Sequence, residues 1–480
     1  MGFRMNRNDN VNKNFEDSVS DKRSRNINQI SLTEGSILKT LTAFTLPYLL
    51  AIFLQQLYGL ADLFIAGQYT GTEVTAAISI GSQFMHMVTV VIIGLSMGTT
   101  VLVSRRIGAR EFDKASETAG NTITLFAGVS VILALLLFIF SENIIQLLQV
   151  PAASYDECLY YLRICLAGIP VITAYNLVSC ICRGCGDSVS PTLFIAAACL
   201  INIGLDVVFI GYMGMGASGA AWGTVVAQLF SVVFALLYLK KKPLPIRLKK
   251  EDFRPEHRIL KNLLSIGVPI ACQDGFIQVA FLLITMIGNM RGLTDSAAIG
   301  IVEKIISFLF IVPSAISQSL SAFAAQNVGA AKYRRASEAL KISCFTGAVY
   351  GVLVVFSAWF AGKALIGLFI HDPAVIAAGE TYFRSYSFDA IGVGIHFCMA
   401  SYFCAYQKSM VSFVQNALSV ILFRVPLAWL ASVLFPSTLF WMGMAAPAGS
   451  AFQAVFCLIY YYRHQNIFFP GGKSITEADS

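Results

Sequence analysis

Asn202 and Asp206 stand four residues apart in the otherwise apolar stretch Cys199–Ile210. On an α-helix that spacing stacks an amide and a carboxylate on one face, one turn apart. In a bilayer an ionised Asp206 costs about 2.5–3.5 kcal/mol at mid-depth. A carboxylate held there against that cost faces a cavity or a partner, so it marks a functional site; the other reading is a pair that joins two helices structurally. Asp62 and Thr224 sit in apolar surroundings too, with Gln55 two turns from Asp62 and Asn176 in a further apolar run. Later in the chain Asp274, Glu303, Asp389 and Arg424 repeat the theme. Oxygen ligands converging from different helices are what a cation site needs. Lys304 beside Glu303, and Arg424, offer ion-pair partners as the alternative for the later acids. His396, alone in an apolar run, reads as a packed core residue.

Other patterns carry no chemistry. Gly214-x-Gly216-x-x-Gly219 and Gly94-x-Ser96-x-Gly98 match a dinucleotide fingerprint and a nucleophile elbow, but both need a strand before and a helix after. Cys180-x-Cys182-x-x-Cys185 has no accompanying His or second Cys pair, which leaves a metal site weakly founded. Cys165, Cys199, Cys272, Cys344, Cys398 and Cys457 lie in apolar runs and read as small core residues.

The composition identifies the medium that positions these groups. Of 480 residues 56% are hydrophobic and only 13% charged, with mean hydropathy +0.69. Soluble domains carry about 25% charged residues, so the chain reads as an all-α polytopic membrane protein. In that setting the net charge of +7 concerns loop placement and gives no case for nucleic acid. Twelve apolar spans are expected near 38–67, 74–104, 117–140, 156–181, 190–213, 217–239, 259–289, 295–325, 337–361, 380–405, 409–434 and 441–462. Loops after even spans hold Arg105, Arg106, Arg110, Lys114, Arg183, the run from Lys240 to Arg258, Lys332, Arg334, Arg335 and Lys408. Those after odd spans are nearly bare, Arg291 and Lys363 excepted, so both termini are expected in the cytoplasm. No apolar run follows the first charges, so residues 1–36 read as a flexible tail and not as a cleaved signal peptide.

The chain also repeats itself. IGAREFDKASE at 107–117 lies over VGAAKYRRASE at 328–338, with five identities at an offset of 221. Ile37-Leu38-Lys39 returns as Ile259-Leu260-Lys261, and Tyr161-Leu162-Arg163 as Tyr382-Phe383-Arg384. The expected organisation is a six-helix lobe over 37–239, a basic linker over 240–258, a second lobe over 259–464 and a tail over 465–480. Six spans per half place the pseudo-symmetry axis along the membrane normal, with a cavity between lobes that rock. At ~1.5 Å per residue, Asp62, Asp206 and Thr224 all lie roughly 8–11 Å below the outer end of their spans. Asn202 is one turn deeper and Asn176 deeper still. Glu303 and Asp389 match each other in depth, and Asp274 is near mid-membrane. Arg163 and Arg384 read as anchors that snorkel to the interface.

With Gln56-Leu57-Tyr58-Gly59-Leu60-Ala61-Asp62-x-x-x-x-Gly67, the Asn202/Asp206 pair and the duplicated layout, the chain resembles the MATE (multidrug and toxic compound extrusion) transporters over nearly all of residues 37–464. The resemblance implies two six-helix lobes in a V and export of organic cations driven by inward Na⁺ or H⁺. It carries a cation-coupling role to Asp62, Asn176, Asn202, Asp206 and Thr224, with Na⁺ held by Asp62, Asn202, Asp206 and Thr224. Glu303 and Asp389 match the other-lobe acids that some members use. Gly59-Leu60-Ala61 stands where many relatives show Asn before Val-Asp.

The function expected is antiport of amphipathic, cationic drugs by alternating access across the cell membrane, by a monomer with no cofactor beyond the coupling ion. A flippase of a lipid-linked precursor would want basic cavity residues, and a membrane-embedded enzyme would need a nucleophile or metal set within the spans. Neither is evident. Single cysteines placed in the 240–258 loop are expected to react with an impermeant thiol reagent from the cytoplasmic side alone; labelling from outside would invert the topology.

Overall fold

The computed structural model describes residues 31–469; most of the two expected tails lies outside that range. The described residues form helices and no strand. With no water in the hydrocarbon, the polar backbone of an apolar segment must close its hydrogen bonds internally, and the helix does this. Ten continuous helices and two bent pairs account for twelve spans. They are α1 Ile37–Tyr69, α2 Thr72–Gly108, α3 Phe112–Ile139, α4 Ala152–Ala167 with Ile169–Gly184, α5 Val189–Tyr212 and α6 Gly216–Lys241. The second half holds α7 His257–Met290, α8 Leu293–Gly329, α9 Tyr333–Gly367, α10 Pro373–Tyr386 with Asp389–Ala405, α11 Ser409–Leu434 and α12 Phe440–Arg463. Each lies over one of the twelve expected spans.

The duplication is visible in backbone detail. α4 and α10, fourth in their halves, bend by 48° and 42°. α5 and α11, fifth in their halves, each contain a π-helical turn, Val207–Tyr212 and Val420–Arg424. These turns begin just after Asp206 and end on Arg424, which fits the tendency of π-bulges to fall at functional places. Four spans end in the same cap. After α2, α4, α8 and α10 the residues Arg110, Gly186, Ala331 and Gln407 take φ of 59°, 88°, 56° and 60°. The amide one residue further on then reaches back to Arg106, Cys182, Asn327 and Phe403 respectively. This is the Schellman closure. Arg110 pairs with Ala331 and Gly186 with Gln407 at the 221-residue offset, so the turn geometry persists where glycine does not.

Where the halves meet is decided by packing. The membrane face carrying the 242–256 connection is called here the linker face, and the opposite one the distal face. At the linker face a single core is shared, with Leu41, Phe44 and Val101 of the first half against Leu263, Ile266, Leu320 and Phe323 of the second. Toward the distal face the cores are separate: Ile65, Ile78, Tyr161 and Ile210 in one half, Ile284, Ile299, Val302 and Tyr382 in the other. The two lobes therefore join at one face and part at the other.

The joint is made of backbone. A Cβ on Gly108 would collide with the Gln326 carbonyl, and one on Gly329 with the Arg105 carbonyl. These are one contact and its repeat image. Farther in, a Cβ on Gly98 would lie 2.6 Å from the Leu263 carbonyl oxygen, and one on Gly94 2.9 Å from Cα of Ala271. Small residues here let α2 approach α7 and α8 without intervening side chains. Tyr48 of α1 hydrogen-bonds Gln318 of α8 across the same seam.

The segment just before α1 departs from the flexible tail expected there. Leu32 is fully buried in the shared core. Asn327 Nδ2 donates to the Leu32 carbonyl (3.0 Å), Lys332 Nζ to that of Thr33 (2.8 Å), and Arg335 to those of Gly35 (2.6 Å) and Glu34 (2.7 Å). Polar composition suggested solvent, but backbone carbonyls meeting second-half side chains hold the segment down. Likewise Phe468, just past α12, is fully buried beside Tyr402, Phe403 and Tyr406. Gly108→Ala and Gly329→Ala are each expected to lower stability by about 1–3 kcal/mol through forced separation of the backbones. Gly128→Ala, at a helix position with nothing within 4 Å, is expected to leave the thermal unfolding midpoint unchanged or raised.

Candidate functional site

In the first half the sequence-derived residues converge. Asp62 reaches α6 from α1, and Thr224 Oγ1 donates to its Oδ2 at 3.3 Å. Asp206 and Asn202 of α5 lie alongside Asp62. Both are fully buried, and Asp62 is 2% exposed. Asp62 Oδ1, both oxygens of Asp206 and both polar atoms of Asn202 have no hydrogen-bond partner among the described residues. Unpartnered buried polar atoms are rare, and five from three adjacent side chains need an account. Four of the five are acceptors, an arrangement that can stabilise a positive charge.

A cavity of about 130 Å³ reaches this cluster, with Asp62, Thr224, Gln55 and Asn176 in its wall. Asn176 Nδ2 donates to Ile172 O at 2.9 Å. Four further contributors carry signals too weak to read from sequence. Tyr58, one turn before Asp62, donates to the Thr224 carbonyl at 3.0 Å. Gln228, one turn after Thr224, and His86 of α2 line the same cavity. Gly223 matters by what it lacks, since a Cβ there would collide with Asp206 Oδ1.

The second half treats its charges differently. Arg424 Nη2 donates to both Asp389 oxygens at 3.1 Å and to Ser450 Oγ at 2.9 Å. Ser450 also bonds Asp389. Asp389 is fully buried, and Gly449 leaves the space that the arginine stem fills. Arg424 thus belongs to Asp389 and not to Glu303. Glu303 accepts from Thr285 at 3.2 Å, while its Oε1 is buried without a partner. Lys304 does not pair with it, because neighbours at i and i+1 point to different sides of a helix. Asp274 stands apart from both groups, in the wall of a cavity between the halves. His396 is buried against Phe397, and all three cysteines at 180, 182 and 185 are buried. Among the described residues no three His, Cys, Asp or Glu side chains are grouped as a metal site. Arg163 pairs with Glu142 (2.8 Å) and Arg384 with Glu380 (2.7 Å), each also packing over an aromatic ring.

Comparison with known proteins places these features. The MatE family model matches residues 47–208 and 269–430, one match per half. A probable multidrug resistance protein of Bacillus subtilis, YpnP, is 26% identical over 434 residues, covering 90% of this chain and 96% of its own. An FAD transporter of Shewanella oneidensis is 28% identical over 455 residues, covering 94% and 98%. A solved structure described as an outward-facing conformation of a multidrug resistance MATE family transporter superposes with a TM-score of 0.85 at 20% identity, covering 92% of this chain and 99% of that one.

The contrast between the halves is testable without a substrate. Asp389→Asn and Arg424→Leu should each lower stability by about 3–5 kcal/mol, because each leaves a buried partner uncompensated. Asp389→Asn combined with Arg424→Leu should lose less than the two single losses summed, and Asp389→Leu with Arg424→Leu should recover much of the loss. Additive losses in thermal unfolding would show that the pair is not coupled.

Proposed function

This chain belongs to the MatE family of membrane transporters, and from that premise we propose that it is a multidrug exporter moving amphipathic organic cations against inward Na⁺ or H⁺. The observation that carries this reading is the set of unpartnered oxygens at Asp62, Asn202 and Asp206. Two carboxylates in one dry pocket repel each other, and any positive charge placed between them relieves that repulsion. A proton, Na⁺ held by Asp62, Asn202, Asp206 and Thr224, or an organic cation serves equally. Exclusion of one by another converts an ion gradient into drug movement with no covalent step.

The protein sits in the cell membrane with the linker face in the cytoplasm, as the basic loops favour. The lobes then part toward the outside, the arrangement in which an exporter releases its substrate and takes up its driving ion. Closing that side and opening the other requires the two states to differ in ligand affinity; a complete swing needs about 10⁴-fold, or about 5.5 kcal/mol. Neutralising one carboxylate pair supplies a large part of it.

The name of the Shewanella relative, an FAD transporter, favours a second reading, transport of an anionic dinucleotide. A phosphate-bearing substrate, flavin or lipid-linked, wants basic groups in its path. Here Arg424, buried in the second half, is committed to Asp389, and the two cavities described above have Asp62 and Asp274 in their walls. In proteoliposomes with separate sodium and proton gradients, Asp206→Asn and Asp62→Asn are each expected to abolish efflux of ethidium while the protein remains inserted and folded. The double variant should be no worse than either alone. Gly223→Ala, which keeps both carboxylates but crowds Asp206, should impair efflux too. Unmutated rates in the Asp206→Asn protein would falsify the assignment, and gradient-driven FAD efflux by the wild type would favour the anionic reading.

A further inference from the structure

Two faces of α4 have different occupations. Tyr161 and Cys165 line the first-half cavity, whereas Arg163, Ile164 and Ala167 line a separate groove. Arg163 Nη2 donates to Glu142 Oε1 at 2.8 Å and its Nε to Ser141 Oγ at 3.2 Å. The Arg163 side chain is 35% exposed and that of Glu142 59%. An ion pair so open to its surroundings adds little to the fold. Nη1 of Arg163 has no partner among the described residues.

The groove, of about 360 Å³, is walled by α3, α4 and α6. Phe138 of α3, Ile164 of α4 and Trp222 of α6 give it apolar sides, and among the described residues that line it Arg163 alone is charged. It forms where α4 breaks at Gly168, between Ala152–Ala167 and Ile169–Gly184. A Cβ on Gly168 would stand 2.5 Å from Val225 Cγ2, so Val225 closes the floor against bare backbone. Phe138, Ala167 and Trp222 are all exposed, so the groove opens outward to lipid. Phe138 is the penultimate residue of α3, and Trp222 lies roughly 9 Å into α6 from its distal end. Phe140 and Tyr160 are exposed as well, an aromatic belt of the kind that marks the membrane interface.

Lipid tails are as apolar as leucine, so in a bilayer an acyl chain fills such a hollow. The mouth then selects the headgroup. A lipid phosphate meets the Arg163 guanidinium in the charge-assisted geometry that arginine and phosphate share. A purely anionic headgroup placed there is repelled by Glu142. A headgroup with an ammonium beside its phosphate satisfies both members of the pair. A primary ammonium has N–H donors for the Glu142 carboxylate, and a trimethylated one has none.

We propose that this groove binds one phosphatidylethanolamine molecule of the distal leaflet, its acyl chain over Trp222, its phosphate on Arg163 and its ammonium on Glu142. The lipid would sit directly behind the cation cluster. Trp222 and Val225 face the groove, while Gly223 and Thr224 between them face Asp206 and Asp62. The assignment needs only the membrane and is independent of the exporter reading.

The chain has four tryptophans, and replacing Trp359, Trp429 and Trp441 by Phe leaves Trp222 as a reporter at the site. This full-length protein is placed in phosphatidylcholine vesicles with rising fractions of brominated phosphatidylethanolamine, phosphatidylglycerol or phosphatidylcholine. Quenching of Trp222 then reads the relative affinity of each lipid. Phosphatidylethanolamine is expected to bind about fivefold more tightly than the other two, the scale of one exposed charge contact. Arg163→Gln should abolish that preference, and Glu142→Gln should reverse it toward phosphatidylglycerol. Ala167→Phe fills the groove without altering charge and should abolish the preference too. Glu142 and Ala167 are exposed, so their variants decide the matter if Arg163→Gln does not fold. Equal quenching by all three lipids with the mouth intact, or a preference for the anionic one, marks ordinary boundary lipid and overturns the site. A phosphatidylethanolamine preference that survives both Glu142→Gln and Ala167→Phe overturns it as well.

Discussion

At the linker face, the backbones of α2 and α8 lie against one another at Gly108 and Gly329, with no side chain between them. Everything on the distal side follows from how tightly this seam is closed. Side chains interposed there would spread the lobes at their base and break the shared core of Phe44, Leu263 and Phe323. With the seam closed, the helices diverge as they cross the membrane, and the distal cores become two. Because each half presents to the other the same glycine and the same carbonyl, the seam is self-complementary in the way a two-fold dimer interface is. The chain behaves here as a dimer whose protomers have been joined by a strap.

That symmetry of the frame sets off an asymmetry of charge. Both halves bury carboxylates, yet only the second compensates one fully, with Arg424 and Ser450 around Asp389. A satisfied buried pair is stable against change of ligand, since removing either partner is costly. The first half leaves Asp62, Asn202 and Asp206 with unspent bonding capacity, and Gly223 keeps that space clear. A twofold scaffold thus carries a fully paired buried carboxylate in one half and a cluster of unpartnered buried oxygens in the other.

The twelve spans were legible in the sequence because apolar length and loop charge are one-dimensional properties, and so was the repeat. The depths of Asp62, Asp206 and Thr224 were legible for the same reason: helical rise converts residue number into height, and Thr224 does reach Asp62. Rotation about each helix axis is set by neighbours and leaves no such trace. Arg424 could be named as an ion-pair partner but not assigned to Asp389 over Glu303, and Asp274 could not be put at the lobe interface. Gly223 was invisible because its contribution is empty space. The backbone before α1 was misread because its bonds are made by carbonyls, which composition does not record.

That docked segment bears on how the chain is made. Leu32 to Gly35 leave the ribosome before α1, but the groups that receive their carbonyls, Asn327, Lys332 and Arg335, follow almost three hundred residues later. The first six helices can insert and pack their distal core, yet their leading edge has no seat until α8 and α9 arrive. Leu32 to Gly35 can therefore be fastened only after the start of α9 has been made. The newborn first half carries an open edge through most of its synthesis, and closure of that edge coincides with completion of the seam.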